Sequence, residues 1–133
     1  MFILVIGEEI GWRGFALPLL LQSFGATSSS VIIGTMWAIW HPPLFLMTSM
    51  PQYGSPFLPF VIYTVSLSTI LTFLYSRTHG SIIVSTLFHG AVNTIGIVNV
   101  AASSELRGWS NALSYGLAVL VISGVTGKTR ICR

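Results

Sequence analysis

From Gly14 to Ser76 the chain carries not one Asp, Glu, Lys or Arg, and the same holds from Thr78 to Ser104 and from Gly108 to Gly127. Soluble domains have roughly 25% charged residues; here the share is 7%, against 53% hydrophobic. Runs of this kind imply bilayer spans, because a helix needs about 20 mainly apolar residues to cross the hydrocarbon core. The expected fold is all-α: a polytopic transmembrane helix bundle forming one membrane-embedded domain over residues 1–133.

Five apolar segments, at about residues 1–22, 29–47, 57–76, 80–102 and 110–126, are separated by clusters of Gly, Pro, Ser or Asn. Pro42 and Pro43 predict a break just after His41. Only about 10 Å of helix precedes Glu8, so the first span reads as cut short, with helices expected upstream. Its start has no basic flank and carries charges inside the apolar run, unlike a signal peptide.

If the helices alternate in direction, connections 48–56 and 103–109 share one side of the membrane, and the turn at Arg77 shares the other with the tail. That second side holds Arg77, Lys128, Arg130 and Arg133, against Arg107 alone opposite, so the C-terminus is expected in the cytoplasm. The tail KTRICR reads as a membrane-lipid surface signal and not as a nucleic-acid site. A lone Cys132 allows no disulfide within the chain.

Inside the segments the ionisable groups are Glu8, Glu9 and Arg13 in the first, His41 in the second and His89 in the fourth, with Asn93 four residues on. Such groups are expensive in hydrocarbon and usually face a bundle interior or a cavity. Counted from the cytoplasmic ends, Glu8 lies about 21 Å deep, His41 about 18 Å, His89 about 14 Å and Asn93 about 20 Å. Four side chains from three segments could therefore meet in one layer. Glu9 and Arg13 are an acid-first i, i+4 pair that can neutralise itself, while Glu8 points about 100° away.

A carboxylate and an imidazole can deprotonate a water for attack on a carbonyl, with a second imidazole and a carboxamide donating to the oxyanion. Glu8, His41 and His89 can equally hold a divalent metal such as zinc, with water in the open position. The residue types leave both routes open. No HExxH, GxSxG or GxxxxGK occurs, and there is no Asp for an aspartyl dyad. The blander readings are interhelical hydrogen bonding for His and Asn, packing for the tryptophans and a capping role for His79 in its RTHG turn.

Three motifs in order, Glu8-Glu9-Ile-Gly-Trp-Arg13, Trp37-Ala-Ile-Trp-His41 and His89-Gly-Ala-Val-Asn93, resemble the EExxxR, FxxxH and HxxxN/D motifs of the CPBP intramembrane proteases. This is the CAAX protease and bacteriocin-processing, or Abi, family, which includes the type II CAAX prenyl endopeptidases. The resemblance covers about residues 7–100, with Trp37 standing where Phe is expected. It implies an intramembrane endopeptidase in which Glu8 and His41 activate water and His89 and Asn93 stabilise the oxyanion. Glu9 and Arg13 would support them, and Trp37 would wall the pocket. It also implies a peptide or membrane-protein substrate, prenylated in the best-known members, cut near the cytoplasmic side of the bilayer. Competing readings are a non-proteolytic immunity or partner-binding membrane protein retaining this core, and a haem or metal carrier using His41 and His89.

Overall fold

The computed structural model describes residues 2–98 and 103–126. Helix α1 (Phe2–Glu9), a π-helical turn (Ile10–Ala16) and α2 (Leu17–Leu21) follow one another without a break. Then come α3 (Ala26–Trp40), the short α4 (Pro42–Leu46), α5 (Phe57–Arg77), α6 (Ile82–Val98) and α7 (Ser104–Thr126), with no strand among the described residues. Among the described residues each of the five apolar segments contains helix, as an all-α bundle requires. The tail, with Lys128, Arg130, Cys132 and Arg133, lies outside the described residues.

Local chemistry accounts for the breaks. Pro18 has no N–H, and its ring would clash with the carbonyl of Gly14 in an uninterrupted α-helix. The chain widens just before it, and Leu17 donates its N–H to the Trp12 carbonyl, five residues back. At His41 the helix stops where the prolines predicted. His41 closes α3, and Pro42 and Pro43, which need no N–H partner there, open α4. In the RTHG turn His79 and Gly80 take φ of 54° and 84°, and the Gly80 N–H returns to the Tyr75 carbonyl at 2.8 Å, a helix-ending bond.

One boundary differs from expectation. The stretch SSELRGWS reads as a separator, yet α7 begins at Ser104. Ser103 caps it, its hydroxyl accepting the Leu106 N–H at 3.3 Å, and Glu105 lies in the first turn, where the helix dipole favours an acid. Glu105 and Arg107 are therefore helical residues.

Helix α5 is the centre of the bundle and packs against α3, α6 and α7, while α1 and the π-helical turn lie on α6. The α3–α5 contact is close because Gly34 has no side chain. A Cβ there would fall 2.5 Å from the Val65 Cα and 3.1 Å from the Thr64 carbonyl. Small hydroxyl residues, Ser29, Ser30, Thr64, Ser68 and Thr72, are buried around this seam. The hydroxyls of Ser30, Thr64 and Thr72 bond back to carbonyls of their own helices, while those of Ser29 and Ser68 are buried without a partner. Beside the seam Trp37, Leu67, Leu71 and Val92 form the apolar core.

The outward faces are apolar, with Leu113, Leu117 and Leu120 of α7 and Ile3 and Leu4 of α1 exposed, as lipid contact requires. Among the described residues α5 is the one helix long and apolar enough by itself to cross a membrane; the apolar run of α6, Ile82–Ile95, is shorter.

Candidate active site

Adjacent residues on a helix point about 100° apart, and at the end of α1 this sends two glutamates to two different helices. Glu8 turns to α3, where its Oε2 accepts the Trp37 indole N–H at 3.0 Å. Glu9 turns to α6, where its Oε1 lies 2.9 Å from His89 Nδ1 and also accepts from Arg13 Nη1 at 3.2 Å. Glu9 and Arg13 are both fully buried.

The expected Glu9–Arg13 pair is thus present and extends to His89. The Arg13 guanidinium carbon also sits 5.3 Å from the centre of the Trp37 ring, a cation–π distance. Glu9 Oε2 and two Arg13 nitrogens are buried without a hydrogen-bond partner. Such a pair is a poor source of stability, yet removing one member typically costs about 3–5 kcal/mol. What it secures is position: the first helix is fastened to the histidine of the sixth.

His41 stands at the α3–α4 junction with Nδ1 2.7 Å from the Trp37 carbonyl. A carbonyl only accepts, so this bond requires the proton on Nδ1 and leaves the Nε2 lone pair free. Trp37 thereby touches Glu8, His41, Arg13 and His89. Its N–H reaches Glu8, its carbonyl holds His41, and its ring lies under Arg13 and edge-on to His89, 4.9 Å between centroids.

Glu8, Trp37, His41, His89 and Asn93 line one cavity of about 370 Å³. The four residues expected in one layer therefore share a wall, with Glu9 and Arg13 behind it. From that layer the cavity extends between Gln52, in the connection after α4, and Ser104, Arg107 and Asn111 of α7. Three features had no signal in the spacing: the indole N–H bond to Glu8, the Glu9–His89 contact across 80 positions, and Arg107 in the cavity wall. An arginine amid long uncharged runs was the one available hint of the last.

The proposed metal set can be tested against these contacts. The Nδ1 atoms of both histidines are engaged, by the Trp37 carbonyl and by Glu9, and Glu8 is held by Trp37. Among the described residues no three His, Cys, Asp or Glu side chains gather as a ligand set. These contacts use Nδ1 of each histidine and Oε2 of Glu8, which leaves each ring's Nε2 and Glu8 Oε1 for a water or a metal ion, so both routes to an activated water stay open.

Residues 1–95 match the family described as type II CAAX prenyl endopeptidase, Rce1-like. A curated relative, CAAX prenyl protease 2 of Methanococcus maripaludis, is 29% identical over 105 residues. The match takes in 70% of this chain and 38% of that relative, so the chain spans well under half of the relative's length. No solved structure matches the chain.

Proposed function

Because the chain belongs to the Rce1-like family of type II CAAX prenyl endopeptidases, an integral membrane family, we propose that it hydrolyses a peptide bond inside the bilayer. In this reading the water lies between the Glu8 carboxylate and His41 Nε2. The carboxylate takes its proton as the oxygen attacks the scissile carbonyl, and His41 holds the water by the lone pair that the Trp37 carbonyl leaves exposed. The resulting oxyanion receives hydrogen bonds from Asn93 and from His89. The latter donates through Nε2 when both ring nitrogens carry protons, since Nδ1 already serves Glu9. Glu8 then passes its proton to the departing amine as the C–N bond breaks, giving a carboxylic acid and an amine and restoring the site.

The observation that carries this reading is the shared cavity of Glu8, His41, His89 and Asn93, drawn from three separate helical segments. A second, apolar groove supports a lipidated substrate. It is lined by Ile3, Leu4, Phe15 and Trp40 among others and meets the cavity at Glu8 and His41. A prenyl chain on the peptide, as the name of the relative indicates for that protein, would lie there with the peptide in the cavity.

The test is cleavage of quenched fluorescent peptides, prenylated and not, by the full chain in lipid. Glu8→Gln keeps the shape and removes the base, and is expected to lower kcat roughly 100- to 10,000-fold with membrane insertion intact. Full activity in E8Q removes Glu8 from the mechanism. A chelator is expected to leave the wild-type rate unchanged, whereas loss restored by zinc would favour a metal route. Absence of cleavage with retained peptide binding would favour the non-proteolytic, partner-binding reading.

A further inference from the structure

The cavity wall carries one carboxylate side chain, Glu8, and one arginine, Arg107, and hydrolysis as described uses only the first. Arg107 lies early in α7, at the end of the cavity away from the catalytic layer, with Gln52, Ser104 and Asn111 beside it in the wall. These neighbours are neutral and able to hydrogen-bond, and Gln52 Oε1 is buried without a partner. The α7 turn is held against the connection after α4, where the Ser104 hydroxyl reaches the Gly54 carbonyl at 3.5 Å. Arg107 therefore belongs to a built wall, not to a loose terminus.

Arg107, in the first turn of α7 and only partly buried, lies at one end of the bundle with its side chain in the cavity wall. Guanidinium is the side chain best matched to a carboxylate, which it grips through two parallel N–H bonds. Arg107 already interacts within the chain, and five N–H donors leave it able to take a second partner. The carboxylate of Glu8 faces the same space, so a peptide bound between them meets a base at one end and a cation at the other.

We propose that Arg107 is a carboxylate-binding residue for the peptide substrate. It receives an anionic group on one side of the scissile bond while Glu8 and His41 act on the bond itself, so the site selects peptides by the distance from carboxylate to cut. The proposal rests on the endopeptidase reading above. A chain terminus and an acidic side chain present the same chemistry, and the experiment separates them.

Three matched peptides are offered to the full chain in lipid: one ending in a free carboxylate, one in an amide, and one in an amide with Glu at the matching distance. The wild type is expected to prefer a carboxylate peptide over the plain amide about tenfold, expressed in KM more than in kcat. Whether the free acid or the Glu peptide shows it identifies the source. Arg107→Gln brings the preferred peptide down to the level of the amide. Arg107→Lys, which keeps the charge and loses the two parallel N–H bonds, gives an intermediate preference.

Equal handling of all three peptides by the wild type, or a preference unaltered in both variants, overturns the proposal. Binding is read separately by fluorescence anisotropy of the labelled peptides. A chain that discriminates in binding yet cuts nothing upholds the carboxylate site and fails the protease reading.

Discussion

The indole at position 37 differs from the phenyl ring expected there by its N–H, and that N–H is the group bonded to Glu8. A hydrogen bond to a charged group is worth about 1.5–3 kcal/mol. Trp37→Phe keeps an aromatic wall beside His89 and removes the bond. It is expected to lower kcat about tenfold with insertion intact and a loss of stability of about 1–3 kcal/mol; an unchanged kcat would mean that Glu8 needs no such support.

The contrast also shows what single residues disclose. Glu8, His41, His89 and Asn93 stand out in the sequence as candidates because a polar group in hydrocarbon must have a reason to be there, and the structure lines one cavity with them. The partners of Glu9 were only half legible. The arginine sits one helical turn away and obeys a local rule, whereas His89 is brought by packing that no spacing encodes.

At the level of elements, the close passage of α3 over α5 depends on Gly34. Gly34→Leu would drive a side chain into the Val65 backbone, and overpacking of this kind costs about 1–3 kcal/mol. Because α3 carries both Trp37 and His41, the variant is expected to lose cleavage activity along with resistance to unfolding in detergent. Activity retained at full stability would show that the seam can open without disturbing the site.

Helices were readable from apolar runs and their Gly and Pro boundaries, and the break at His41 from its two prolines. The π-helical turn was not readable, since it arises from the conflict between Pro18 and the Gly14 carbonyl inside a run that otherwise favours helix. The early start of α7 was missed because its Ser103 cap sits among charged residues that look like a connection.

For the molecule as a whole, the cavity runs from the catalytic layer toward the connection after α4 and the first turns of α7, the end of the bundle opposite Arg77 and the end of α7. Two expectations drawn from the sequence therefore part company: a cytoplasmic C-terminus and cleavage near the cytoplasmic face. The balance of basic residues favours the first. Cys132, the single thiol of the chain, decides between them. An impermeant maleimide is expected to label it only from the cytoplasmic side of sealed vesicles; labelling from the other side would instead turn the cavity toward the cytoplasm.

Sidedness here follows from Arg77 and the basic residues of the tail, whereas the chemistry belongs to residues set between the helices. The two are independent. Moving those few charges would invert the protein and offer an unaltered active site to the peptides of the opposite compartment.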